Sequence, residues 1–111
     1  MANAYKVLGQ SNLTAETPTD VYTVPSATET VVSTIIIANL AAVANTFRLS
    51  IRPNGATQAD EHYIAYDVAI AANDSTTLTL GITLDAADVI TAYSGASADL
   101  SVNVFGTEIT A

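Results

Sequence analysis

The chain has 111 residues, of which 50% are hydrophobic and only 13% are charged, and its formal net charge is −8. That length fits a single domain, since most domains have about 100–150 residues. Three cations against 11 acids exclude the basic footprint with which proteins bind nucleic-acid phosphates, and they disfavour an anionic membrane as a partner for the same reason. The absence of cysteine excludes a disulfide framework and fits assembly in a reducing cytoplasm.

Alanine, threonine and serine take the place of the missing charge. On a small domain, much of the surface is then neutral and low in side-chain entropy, which suits burial against other subunits. We therefore expect a protein that works by associating with other chains, including copies of itself.

Residues 1–19 differ in character from the remainder. A short apolar opening, with a strand predicted near 4–8, is followed by the polar segment QSNLTAETPTD at Gln10–Asp20, which indicates a flexible connection. Two alternatives stay open for residues 1–19: an N-terminal arm that packs on a neighbouring subunit, or an edge strand of the chain's own sheet. The β-sandwich domain itself is predicted over residues 20–111.

Period-two alternation of apolar and polar residues governs the chain after residue 20, and turn residues interrupt it at regular intervals. The segment Val31–Leu40 is apolar at both parities, which predicts a strand covered on both faces. The fold class is therefore all-β: one sandwich of antiparallel strands with an N-terminal arm, for which a jelly roll is one arrangement. The eight strands are predicted near 4–8, 20–24, 30–40, 45–52, 62–70, 75–83, 88–94 and 98–106.

The stretch TFRLSIRPNGATQADEHYIAYD, residues 46–67, concentrates the rare ionic groups of the chain. Arg48 and Arg52 share a parity and so project from one face of one strand, and the returning strand carries several acids. One alternative is cross-strand pairing of the arginines with those acids. The other is that the arginines bind acids on an adjacent copy. The acids of the return are Asp60, Glu61 and Asp67.

Tyrosines near this stretch are further contact candidates, because a rigid apolar ring with a polar tip is favoured at interfaces. His62, the only histidine, is expected to form surface or interface hydrogen bonds. The predicted interface residues are Arg48, Arg52, His62, Tyr63, Tyr66 and Tyr93.

Catalytic signatures are missing from the sequence. A lone histidine leaves serine nucleophiles without a dedicated base, and no G-x-S-x-G elbow or glycine-rich phosphate loop occurs. Asp85 and Asp88 could contribute to a calcium site, but their short spacing is more typical of a solvated turn. We predict a protein that is not an enzyme, with no cofactor and no catalytic or metal-binding residues.

Long segments of the chain resemble small virion structural proteins of tailed bacteriophages. The resemblance covers nearly the whole chain. It consists of sequence segments that occur in the same order, and it includes no catalytic motif. The segments are VLGQ at 7–10, VYTVPSATETVVSTIIIAN at 21–39, FRLSIRPNGA at 47–56, HYIAYDVAIAANDSTTLTLGITLDAADVITAY at 62–93 and LSVNVFGTEI at 100–109.

This resemblance implies a β-sandwich present in many copies on a virion, most of all a capsid decoration (cement) protein of the head. It implies association with itself, as a homotrimer on local threefold axes, and with the major capsid protein or tail proteins. A tail or baseplate accessory protein is the alternative within this class. A carbohydrate-binding adhesion module is the alternative from another class.

Overall fold

The computed structural model describes residues 2–97 and 99–110. Three residues that belong to predicted segments lie outside the described residues: Met1 of the segment 1–19, Ala98 of the strand 98–106 and Ala111 of the domain 20–111. Eight antiparallel strands form two sheets, which confirms the predicted fold class. Two short 3-10 turns, Pro53–Gly55 and Asp60–His62, are the helical elements among the described residues. The strands are β1 Ala2–Leu13, β2 Thr19–Thr23, β3 Thr28–Asn39, β4 Asn45–Arg52, β5 Tyr63–Ile70, β6 Ser75–Leu84, β7 Val89–Ser94 and β8 Leu100–Thr110.

The strand order is that of a jelly roll. One sheet has the order β1-β8-β3-β6 and the other has the order β2-β7-β4-β5. Strands therefore pair in a nested manner, the first with the eighth, the second with the seventh, the third with the sixth and the fourth with the fifth, as in double Greek-key jelly rolls. Each sheet turns one face toward the other sheet and leaves its second face on the outside of the sandwich.

The core lies between the two sheets and takes alternate residues from each strand. Ile35 and Ile37 of β3 meet Phe47 and Leu49 of β4 in one cluster of buried side chains, each at most 2% exposed. Since successive strand residues point to opposite faces, the intervening residues of the same strands form the outer faces. The period-two pattern of the sequence thus decides which residues are available to a partner.

A polar network joins the two sheets at one end of the core. The hydroxyl of Tyr22 on β2 donates to Glu108 Oε2 on β8 at 2.7 Å and lies 2.8 Å from Thr30 Oγ1 on β3. Lys6 Nζ on β1 donates to Glu108 Oε1 at 2.8 Å. Burial raises the pKa of Tyr22 to about 12, and the hydrogen bonds from Lys6 and Tyr22 hold the pKa of Glu108 below its usual range.

The first strand is longer than the sequence predicts. β1 extends to Leu13 and pairs along its length with β8 as an edge strand, so the prediction of a flexible connection from Gln10 is wrong for Gln10–Leu13. Gln10 and Asn12 occupy outward positions of the strand, where polar residues are in contact with solvent. The division of the chain at residue 19, and packing of residues 1–19 on a neighbouring subunit, stay predictions.

The prediction that Val31–Leu40 is covered on both faces is also wrong within one chain. Val32, Ile35 and Ile37 are completely buried, whereas Val31 on the other face is 36% exposed and Ile36 is half-buried. The single chain thus leaves apolar side chains of β3 without a covering layer on the outer face of the β1-β8-β3-β6 sheet.

Candidate interaction surface

The predicted interface residues meet at the outer face of the β2-β7-β4-β5 sheet. Arg48 on β4 lies directly opposite Tyr93 on β7, and Ser50 of β4 lies opposite Tyr63 on β5. We call this face the arginine–tyrosine surface, defined by Arg48, Arg52, Tyr63, Tyr66, Asp67 and Tyr93. His62 lies at its margin, in the 3-10 turn that precedes β5.

A β-bulge in β5 brings two side chains to one arginine. Between the flanking pairs of the β4–β5 ladder, β5 has two residues, Tyr66 and Asp67, where β4 has only Arg48. Asp67 adopts the left-handed conformation, with φ of 51°, which aspartate tolerates better than most residues. Bulges of this kind redirect side chains, and here the result is a ring and a carboxylate on the same guanidinium group.

Arg48 is held from three sides. Its Nε donates to Asp67 Oδ1 at 2.6 Å and its Nη2 donates to Asp67 Oδ2 at 3.3 Å. Its Cζ lies 4.2 Å from the ring centroid of Tyr66 and 4.5 Å from that of Tyr93, within cation–π range of both. The hydrogen-bonded ion pair raises the pKa of Arg48 above its already high ordinary value and lowers the pKa of Asp67. The guanidinium is therefore charged at every ordinary pH and fixed in place.

Arg52 fixes the loop after β4. Its Nη2 donates to Asp20 Oδ1 on β2 at 2.8 Å, and its Nε donates to Thr91 Oγ1 on β7 at 3.0 Å. Its Nη1 donates to the carbonyl oxygens of Gly55 and Ala56, at 3.4 and 2.9 Å. The guanidinium at the end of β4 thus ties the segment Gly55–Ala56 to the neighbouring strands β2 and β7.

The two alternatives for the arginines are answered in part. Arg48 forms the expected cross-strand pair with Asp67, whereas Arg52 pairs with Asp20 and not with the acids of the returning strand. Binding of the arginines to acids on an adjacent copy stays a prediction, and it would compete with these partners inside the chain. Sequence reasoning missed Asp20 and Thr91, because they lie 32 and 39 residues from Arg52 and no local pattern links them.

The remaining predicted residues form the rim of the surface. His62 Nδ1 accepts the backbone N–H of Ala59 at 3.0 Å, a contact that closes the turn before β5. The rings of Tyr63 and Tyr66 meet edge to face, with 4.8 Å between centroids and an angle of 82° between planes. With Asp60 they line a shallow depression, and Tyr66 is 55% exposed.

The carboxylates of Asp85 and Asp88 accept backbone hydrogen bonds in and around the turn before β7. Asp88 accepts the backbone N–H of Asn54 through Oδ1 and that of Asp85 through Oδ2, while Asp85 Oδ1 accepts the N–H of Ala86. Across residues 2–97 and 99–110, no group of three or more His, Asp and Glu side chains could hold a metal ion. Each buried side-chain nitrogen or oxygen in those ranges also has a hydrogen-bond partner.

No helix among the described residues is long and apolar enough to cross a membrane. No protein-family model matches the chain, and no curated protein sequence matches it. Its fold does match one chain of the acidic stable capsid of Helicobacter pylori bacteriophage KHP30. The match covers 99% of this chain and 98% of the other, with a TM-score of 0.55 and 15% sequence identity. At that identity the likeness shows a shared fold over the full length of both chains.

Proposed function

We propose that this chain is a non-enzymatic structural protein of a bacteriophage virion, and specifically a capsid decoration (cement) protein. The observation that carries the proposal is the full-length match in fold to a chain of a phage capsid. The resemblance of its sequence segments to small virion proteins of tailed phages points the same way. A jelly roll of 111 residues with little charge on its strands is suited to work by contact.

The arginine–tyrosine surface is the side that we propose faces the particle. Its two arginines are already neutralised by Asp67 and Asp20, so this patch carries little net charge on a chain of charge −8. Fixed aromatic rings around a fully charged guanidinium provide the rigid contact area that is enriched in protein interfaces. The major capsid protein, or alternatively a tail protein, is the proposed partner.

Many weak contacts are sufficient for this function. A particle presents the same site repeatedly, and an oligomer that engages several sites binds far more tightly than one subunit does. Head decoration proteins often sit on local threefold axes, and for that reason we propose a homotrimer. The tail or baseplate alternative differs chiefly in copy number.

One observation favours a second candidate, a carbohydrate-binding adhesion module. The depression between Tyr63, Tyr66 and Asp60 combines two aromatic rings with a carboxylate, a set of groups that can contact a sugar ring and its hydroxyl groups. A glycan array probed with the wild-type chain and with Tyr63→Ala tests this candidate. Binding that the substitution abolishes would favour adhesion over decoration.

Quantitative mass spectrometry of purified particles of the encoding phage tests the main proposal. A decoration protein is expected at a copy number on the order of hundreds per particle, because it repeats over the whole shell. A few copies to some dozens would place the protein in the tail or baseplate. Its absence from purified particles would overturn the proposal of a virion protein.

A further inference from the structure

The outer face of the β1-β8-β3-β6 sheet carries large apolar side chains among hydroxyl and amide residues. Tyr5 and Val31 lie on either side of Thr107 on β8, and Val7 lies directly opposite Phe105 in the next outward row. The exposed fractions are 81% for Tyr5, 45% for Val7 and 36% for Val31. We call this side the neutral face, whose apolar members are Tyr5, Val7, Val31, Ile36, Phe105 and Ile109.

The neutral face is almost free of charge on a strongly acidic chain. Among the described residues that point outward from this sheet, only Glu29, at one end, is charged. The others are apolar residues or carry a hydroxyl or amide group. The acids gather elsewhere, since seven of the 11 lie in the turns and loops at the ends of the sandwich. Because copies of charge −8 repel each other, packing between them costs least where neither copy presents acids.

From this distribution of charge and apolar area we infer that the neutral face is covered by a second copy of this chain. The inference rests on the proposed function, for which it names one partner and one surface. Four strands about 4.8 Å apart and rows spanning about 30 Å give a face of about 600 Å². Covering it on two copies reaches the lower limit of specific interfaces, about 1,200 Å² in total.

The apolar residues of β3 also favour a covering layer on the neutral face. The sequence of Val31–Leu40 is that of a strand with two dry faces, yet Val31 and Ile36 face outward with no layer above them in one chain. A second copy can supply that layer, and if it does so with its own neutral face, few acids of the two copies come close together. A face that meets its own equivalent closes as a dimer, and one that meets another surface of the copy can close as the proposed trimer.

Analytical ultracentrifugation of the full chain, over micromolar to millimolar concentrations, tests the inference. The wild-type protein is expected to sediment as an oligomer that dissociates on dilution. Val31→Lys, which places a charge on the neutral face, is expected to weaken self-association about tenfold or more. Val43→Lys is the matched control, since Val43 is 54% exposed in the loop between β3 and β4, and it should change association by at most about twofold.

Tyr5→Ser gives the same test without risk to folding, because the Tyr5 side chain is 81% exposed. It should weaken self-association by about tenfold while the far-ultraviolet circular dichroism stays that of wild type. A wild-type chain that stays monomeric throughout would overturn the inference, as would unchanged association of both Tyr5→Ser and a folded Val31→Lys. A monomer that is nevertheless abundant on particles would overturn this inference alone, and an oligomer absent from particles would overturn the proposed function alone.

Discussion

Arg48 binds Asp67 through two hydrogen bonds to both carboxylate oxygens, across a bulge that also brings the ring of Tyr66 over the same guanidinium. The geometry uses the planar, delocalised character of arginine, which lysine lacks. The fixed partner of Arg48 is thus an acid of its own chain, and the contribution of Arg48 to any interface comes through a preorganised surface.

Arg48→Lys is therefore expected to lower the free energy of unfolding by about 1 kcal/mol, because the stacking on Tyr66 and Tyr93 is lost while a positive charge remains. Urea unfolding at neutral pH measures the change. Combining it with Tyr66→Leu in a double-mutant cycle isolates the contact with that ring. If the two substitutions were strictly additive, stacking of Arg48 on Tyr66 would not contribute to stability.

The network at Tyr22 predicts a pH dependence on the alkaline side. Burial raises the pKa of Tyr22 from 10.0 to about 12, so the stability that depends on its protonated hydroxyl is present below pH 10 and is lost as the pH rises through about 12. Tyr22→Phe is expected to cost about 1–2 kcal/mol at neutral pH, since Glu108 Oε2 loses its donor. The difference between wild type and Tyr22→Phe should shrink between pH 10 and about pH 12 in chemical unfolding experiments.

Tyr5→Phe is the matched control, because it removes a hydroxyl from a ring that is 81% exposed and lies on the outer face of its sheet, away from the core. It should follow the wild-type curve at every pH. A constant difference between wild type and Tyr22→Phe across the alkaline range would show that the hydroxyl of Tyr22 does not couple to folding.

Calcium is expected to leave the stability of the protein unchanged. Both carboxylate oxygens of Asp88 and one of Asp85 already accept backbone N–H groups in the turn before β7, which leaves few free ligand oxygens. Thermal unfolding with millimolar calcium and with EDTA should give the same midpoint. A calcium-dependent rise that Asp88→Asn removes would instead place a metal site at this turn.

Binding to the particle should depend on the arginine–tyrosine surface. Tyr66→Ser is expected to lower the affinity for particles about tenfold, since Tyr66 is the most exposed ring of that surface. Leu40→Ser is a matched control on an equally exposed apolar residue, 59% against 55%, that lies in the loop after β3. Equal losses for the two variants would place the contact with the particle elsewhere.

The sequence was sufficient to predict most of the strands, because alternation directly reflects one dry and one wet face. The predicted strand at 45–52 coincides with β4, and the others deviate mainly at their ends. The length of β1 was underestimated because Gln10 and Asn12, which point outward near its end, are polar and resemble loop residues in the sequence. Edge strands are the least visible in sequence, since water can satisfy much of their surface.

The sequence predicted which residues belong to the site, but it did not predict how their side chains are arranged and paired. Parity alone placed Arg48 and Arg52 on one face, where the structure also has them. The bulge at Tyr66 and Asp67 depends on a positive φ in one residue, which leaves no trace in the hydrophobic pattern. The pairing of Arg52 with Asp20 depends on the order of strands in the sheet, which only the tertiary fold decides.

Addition of the purified chain to phage particles assembled without it, followed by sedimentation and quantification of the bound chain, addresses the central claim most directly. Saturable binding at a fixed stoichiometry on the order of hundreds of copies per particle is the expected result for a protein that works by repeated contacts. Particles that sediment without the chain at every concentration, while the chain stays folded in the supernatant, would contradict the account.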